Sequence, residues 1–233
     1  MVINMKILAL ETSAKSVSCA VMEDGFVLAS AYQCTGLTHS RTLMPMVEDL
    51  LKNAELTLDQ IDRIAIAAGP GSFTGLRIGI AAVKGLAWAA DKPCCAVSTL
   101  YAMAQNVRHM DGLIIGAMDA RRNQIYNALF EAKGGVLARL CADRAIGLDE
   151  LCEELKGDSR RAIVLGDGGR LCFDYLTAHG IDCTLAPAQL LYQNAVGVAL
   201  AAEECETVTA QELSPVYLRP AQAERLRAEK ESK

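Results

Sequence analysis

The feature that most constrains this chain is that its plan occurs twice. A short apolar run, Lys6 to Glu11 (KILALE), ends in a carboxylate, and far along the chain Leu113 to Met118 runs into Asp119 in the same way. The first run is followed by Val17 to Met22, a turn at Glu23, Asp24 and Gly25, and Phe26 to Tyr32, which predicts a three-strand meander. The second is followed by Gln124 to Phe130 and a Gly134-Gly135 turn. Each copy also contains an apolar strand that runs straight into a glycine loop: Arg63 to Ala68 into Gly69 to Gly75 (GPGSFTG), and Ala162 to Leu165 into Gly166 to Gly169 (GDGG). Such internal similarity predicts an α/β protein of two duplicated lobes, each a mixed sheet with a β-meander and flanking helices. We divide the chain into a lobe over 1–108, a second over 109–220 and a charged tail over 221–233.

Helices complete the first copy. Leu43, Met46, Val47, Leu50, Leu51 and Ala54 recur at helical spacing, which predicts a helix over 40–54 with Ser40 or Thr42 as N-cap and Pro45 in or near the first turn. A second helix is expected over 75–90, then a strand at Cys94 to Val97 and a helix over 98–108 capped by Ser98 or Thr99.

Composition excludes several classes. With 233 residues, 52% of them hydrophobic and 22% charged, the chain can bury a proper core. A net charge of -5 argues against gripping a polyanion unaided, because phosphate binding needs clustered Lys and Arg. Nine cysteines, an odd number with no CxxC, together with an N-terminus lacking a basic and apolar leader, predict a reduced, cytoplasmic protein. The apolar stretches stop well short of the ~20 residues that span a bilayer, so no membrane is expected as a partner.

Two sets of residues could carry function. Gly69, Gly71, Ser72, Thr74 and Gly75 could cradle a phosphate at a helix start, as could Gly166 and Gly168, while Glu11, Thr12 and Ser13 end a strand with one carboxylate and two hydroxyls. The bland alternative is a tight strand-to-helix turn and a strand terminus bonding its own backbone. GxxxxGK[ST] is absent, and GxSxG fails because Pro70 precedes Ser72 by two. His39, His109 and His179 stand far apart with no HxxxH or HExxH, so no metal set can be assembled. The second set is an interface. Counting Met44, the apolar residues of the first helix cover more than the roughly 100° stripe that one sheet face needs. On the next, Gly75, Gly79, Ala82 and Ala89 form a small-residue seam, with Arg77, Ile80, Lys84 and Trp88 as further contact candidates. Ordinary burial against the sheet is the competing account.

In order, ILALETSAKSVSCAVMEDG, THSRTLMPMVEDLL, AAGPGSFTGLRIGIAAVKGLAWA, CAVSTLYAMA, MDARRNQIYNALF and SPVYLRP resemble the TsaB family. The resemblance implies the two-lobed fold of actin, Hsp70 and sugar kinases. It also implies a non-catalytic partner of a TsaD-like subunit, which transfers threonylcarbamoyl to the N6 amine of the adenosine beside the anticodon of tRNAs reading codons that start with A. In the related TsaD proteins the third helix carries an HxxxH metal pair; those positions fall on Thr99 and Met103 here, neither of which can replace histidine. The family pattern further implies pairing through the first two helices, self-pairing when TsaD is absent, and a TsaE-like ATPase as third protein. ATP, ADP and metal then belong to the partners, this chain requires no cofactor, and tRNA is met only through the complex. Rival readings are a stand-alone ATPase or glycoprotease-like hydrolase using Glu11 and the two glycine loops, and a homodimeric scaffold unconnected with tRNA.

Overall fold

The structure, a computed structural model, describes residues 4–121 and 123–219. Its first sheet opens with β1 (Lys6–Glu11), β2 (Val17–Glu23) and β3 (Phe26–Gln33), an antiparallel meander. Asp24 and Gly25 turn the chain between β2 and β3 with φ of 46° and 82°, matching the strand twist of a two-residue hairpin. After α1 (His39–Asn53), β4 (Arg63–Gly69) joins β1 in parallel; after α2 (Phe73–Ala90), β5 (Cys94–Ser98) joins β4 in parallel. The third helix, α3 (Thr99–Gln105), leads to the second sheet.

There β6 (Gly112–Asp119), β7 (Gln124–Lys133) and β8 (Val136–Arg139) repeat the meander, and β9 (Arg144–Gly147) pairs with the other end of β7. After α4 (Leu148–Leu155), β10 (Ala162–Leu165) lies parallel to β6; after α5 (Gly169–Ala178), β11 (Cys183–Leu185) lies parallel to β10. The described chain ends its regular structure with α6 (Ala195–Ala202). The strand orders β3-β2-β1-β4-β5 and β8-β7-β6-β10-β11 are the same order written for two copies, so the duplication predicted from the sequence is present.

Sheet burial explains the sequence pattern. β4 is covered on both faces and is apolar at almost every position, as a parallel interior strand must be. On one face α1 and α2 bring Leu43, Val47, Leu50, Ile80 and Val83 onto Leu8, Leu10, Ile64 and Ile66. Leu43, Val47, Leu50 and Ile80 therefore belong to the lobe's own core, which corrects their assignment to a partner contact: the broad apolar arc of α1 includes the stripe that its own sheet requires. The N-cap position of α1 is Thr38, not Ser40 or Thr42, and Pro45 lies in the second turn, on the exposed side where water can satisfy the carbonyl its ring leaves open.

The lobes are laced together by their last helices. α6 packs on the first sheet, with Ala195, Val198, Ala199 and Ala202 against Ile7, Ala9, Ala20 and Ala65. α3 packs on the second, with Leu100, Met103 and Ala104 against Ile114, Met118, Phe130 and Ile163. The two helices meet at Gly197, where a Cβ would overlap the Ala102 carbonyl. After α6, Val208 exchanges two backbone hydrogen bonds of 2.8 Å with Cys94, and the segment returns along the first lobe. A second lobe running over 109–220 is thus corrected: from about Ala195 the chain is back on the first sheet. The tail over 221–233 lies outside the described residues. Among the described residues no helix is long and apolar enough to cross a membrane.

Candidate functional site

A cleft of about 590 Å³ lies between the lobes, beyond the carboxyl ends of β1 and β6 and bordered by both glycine loops, where ligands of α/β proteins commonly sit. Its two sides obey the same local rule. In the first lobe the Ser13 N–H donates to Oε1 of Glu11 at the end of β1; in the second the Arg121 N–H donates to Oδ1 of Asp119 at the end of β6, at 2.7 Å. Across from these, Gly69 (φ 137°) and Gly166 (φ 114°) turn the chain out of β4 and β10, a conformation that a side chain resists.

The glycines make room for protein backbone. A Cβ on Gly69 would overlap the Val216 carbonyl, on Gly71 the Ser13 carbonyl, and on Gly75 the Thr12 carbonyl. In the other lobe Gly166 abuts the Ala117 carbonyl and Gly168 the Asp119 backbone. The helix start is also partly satisfied: Ser72 N–H donates to Ser13 O at 2.6 Å and Gly75 N–H to the Ser72 hydroxyl at 3.3 Å. Close packing of loop on strand end accounts for these glycines. Thr74 is exposed beside them on the cleft rim.

Of two carboxyls at this end of the sheets, Asp167 lines the cleft and Glu11 lies outside its lining. Glu11 is fully buried and its Oε2 has no partner among the described residues. Burial pushes this carboxyl up to about 7, opposed by the Ser13 hydrogen bonds and reinforced by the charge of Asp167. Asp167, which lies in the second glycine loop, is itself raised, first by burial; the Gln193 amide, donating to it at 2.9 Å, works the other way. The sequence reading passed over Asp167 although it stands inside the motif it singled out. Among the described residues no group of three or more His, Cys, Asp or Glu side chains could hold a metal ion.

A strap formed by the residues after Leu213 closes one side of the cleft. Val216 N–H donates to Ala68 O at 2.7 Å, and Arg219 donates to Ala120 O at 3.0 Å, so the strap touches both lobes. The Tyr217 ring stacks on Phe73 at 4.7 Å, and the Arg77 guanidinium lies 3.9 Å from the Phe73 ring while donating to the Tyr217 hydroxyl at 3.1 Å. Lys84 reaches Gln211 O at 3.2 Å. Arg77 and Lys84, expected to flank a partner, thus hold the chain's own returning segment.

What stays exposed on the outer helices is narrower than the expected interface. Met44 on α1 is 42% exposed and Trp88 on α2 is 70% exposed, with Met46 and Leu51 half-buried. Gly75 and Gly79 face Thr12 inside the chain, whereas Ala81, Gly85 and Ala89 form the outward seam, with nothing near the place of a Gly85 side chain. On α3, Thr99 and Met103 are buried between the lobes, and the Met103 methyl group approaches Gly166. His39 donates from Nε2 to Ala14 O, 2.8 Å away, and ties the start of α1 to the loop after β1.

Comparison with known proteins agrees with this geometry. A family model described as TsaD, tRNA N6-adenosine threonylcarbamoyltransferase, matches residues 33–210. The tRNA threonylcarbamoyladenosine biosynthesis protein TsaB of Bacillus subtilis is 36% identical over 94% of this chain and 96% of its own length. The solved structure of YeaZ from Pseudomonas aeruginosa superposes with a TM-score of 0.77 at 29% identity, covering 92% of this chain and all of that one. More remotely, (R)-2-hydroxyglutaryl-CoA dehydratase component A of Acidaminococcus fermentans shares the fold alone, with a TM-score of 0.50 at 13% identity over 85% of this chain and 97% of that one. The duplicated sheets are those of the actin, Hsp70 and sugar-kinase fold, and, with likeness over nearly its whole length, the chain belongs to the TsaB family of tRNA threonylcarbamoyladenosine biosynthesis proteins.

Proposed function

We propose that this chain is the non-catalytic partner subunit of the machinery that adds threonylcarbamoyl to adenosine in tRNA. It docks a TsaD-like catalytic subunit through the outer face of α1 and α2, pairs with itself through the same face when that subunit is missing, and works with a TsaE-like ATPase. ATP, ADP and metal belong to those partners, and tRNA is reached only through the complex. The observation that carries this reading is Trp88, a 70% exposed indole beside the open Gly85. A tryptophan next to a smooth helix seam suits the centre of a helix-on-helix contact. The buried Thr99 and Met103 support the non-catalytic role, since neither can stand in for a histidine pair.

Binding of the purified TsaD-like subunit to wild-type and Trp88→Glu chains, measured by calorimetry, tests the docking. A hot-spot tryptophan predicts a loss of about thirtyfold or more in affinity. Equal affinity for the two chains rejects this face as the contact. A second reading, nucleotide binding in the cleft, is favoured by the unpartnered Oε2 of Glu11. Titration of the isolated chain with Mg-ATP separates them: turnover by this chain alone would replace the scaffold reading.

A further inference from the structure

The first sheet has an open edge. Its strand order puts β3 outermost beside β2, whereas the opposite edge, β5, is capped where Val208 pairs with Cys94. In the second sheet the outer strands β8 and β11 have only four and three residues. β3 has eight (FVLASAYQ), with no proline and no charged side chain, and Phe26, Val27, Leu28 and Tyr32 are exposed along it. Long edges are normally guarded against pairing by Lys, Pro or inward charges. The register shift in β3, opposite Val21 and Met22, lies before Ala29, so 29–33 is a regular run. Beside it a groove of about 590 Å³ separates β3 from α1. Arg41, Pro45 and Asp49 line its α1 side four residues apart, a spacing that sets them on one helix face. Among the described residues the ion pairs involve neither Arg41 nor Asp49. Met44 does not line this groove, so it is separate from the Trp88 face.

We propose that β3 is a self-association edge. A second copy, turned by a twofold axis normal to the sheet, lays its own β3 antiparallel against residues 29–33 and joins the two first sheets into one of ten strands, five from each copy. Such an axis keeps both α1 helices on the same side of the joined sheet and runs them antiparallel across the merged grooves. Arg41 and Asp49 stand equally far on either side of Pro45, so each Arg41 faces the other copy's Asp49. Opposite charges at mirrored places on one face make the surface complementary to itself, and this singles out a second copy as the occupant. α1 packs mainly over β2. With strands about 4.8 Å apart, the two helices then stand about 14 Å from each other, a gap that an Arg and an Asp side chain close from the two sides. The strands themselves bring no like charges together, since β3 has none. Main-chain hydrogen bonds supply the adhesion, and the exposed ion pairs set the register.

Hydrogen exchange of the full-length chain, compared between dilute and concentrated solution and read beside sedimentation, tests this. The amides of 29–33 should exchange several-fold more slowly in the concentrated sample, in step with a shift from monomer to dimer. Arg41→Glu, a change at an exposed side chain, sets like charges against each other and should raise the dissociation constant about tenfold or more. Adding Asp49→Arg to it puts opposite signs back and should recover the parent value. Each chain is also measured with Trp88→Glu, which removes pairing through the outer helix face, so the outcome does not depend on what that face binds. Exchange in 29–33 that ignores concentration overturns the proposal, as does an Arg41→Glu chain that pairs like the parent or a charge swap that fails to rescue it. Protection of 29–33 that develops only when the TsaD-like subunit is added assigns the edge to that partner and overturns the proposal too.

Discussion

Thr12 and Gly75 are held face to face: the Thr12 hydroxyl donates to the Gly75 carbonyl at 2.8 Å, and the Thr12 carbonyl fills the space where a Gly75 side chain would begin. This contact presses the first turn of α2 onto the end of β1. Gly75→Ala forces either the helix or the strand end to move, and overpacking of this kind costs about 2 to 3 kcal/mol. Urea denaturation should show the midpoint falling with little change in slope. A variant as stable as the parent would mean that the helix start is free to shift.

Glu11 makes stability depend on pH. Its carboxyl is raised from 4.5 to about 7 in the folded chain, so between those values the native state holds a proton that the unfolded chain has released. The native state binds more protons in that window, and stability therefore falls as pH rises through it. The contribution is fully present below 4.5, is gone above about 7, and amounts to about 3 kcal/mol. Asp167, also raised, acts with the same sign. Glu11→Gln keeps the acceptor for the Ser13 N–H, and it should flatten the decline measured by denaturation from pH 5 to pH 7.5. An unchanged slope would remove Glu11 as its source.

The strap should loosen without the fold giving way. Tyr217→Ala removes the ring stacked on Phe73 and the hydroxyl that receives Arg77, partly exposed contacts together worth about 1 kcal/mol. Hydrogen exchange at the Val216 amide, bonded to Ala68 O, should accelerate several-fold while the amides of β1 and β4 keep their protection. Equal acceleration everywhere would show that the strap is part of the global unfolding unit.

Leu50 and Trp88 should fail in different ways. Leu50 is 6% exposed and packs in the first core, whereas Trp88 is 70% exposed. Leu50→Glu buries an unpaired charge and should cost several kcal/mol of stability, so its loss of partner binding would follow from unfolding. Trp88→Glu should melt within a few degrees of the parent. Thermal melts recorded beside the binding assay distinguish the two, and a Leu50→Glu chain that melts normally would place that side chain at the surface.

Much of this was legible in the sequence, and what was missed has physical reasons. The meander strands, the glycine loops and the first two helices announce themselves because each is amphipathic or sharply punctuated. α6, with the sequence AVGVALAA, has no polar face to set a period, being packed between the first sheet and α3, so helical spacing is invisible in it. β8 and β9 have four residues each and β11 has three, too short for an alternation to register. The interface residues were half misassigned because an apolar arc shows how wide a helix is greasy and not which part its own sheet covers: Leu43, Val47 and Leu50 turn inward, Met44 outward. Arg77 and Lys84 could not be matched with Tyr217 and Gln211, because nothing local signals where a distant segment will return. The glycine loops are plain in the sequence, but the atoms that fill the places of their missing side chains, among them the Thr12, Ser13 and Ala117 carbonyls, come from segments distant in the chain.

The return of α6 to the first sheet has a consequence for biosynthesis. While the ribosome is still making the second lobe, one face of the first sheet, including Ile7, Ala9, Ala20 and Ala65, has no cover, because its lid is encoded last. Domain-by-domain folding from the N-terminus is therefore not open to this chain. The nascent first half keeps that apolar side bare until residues near 202 emerge.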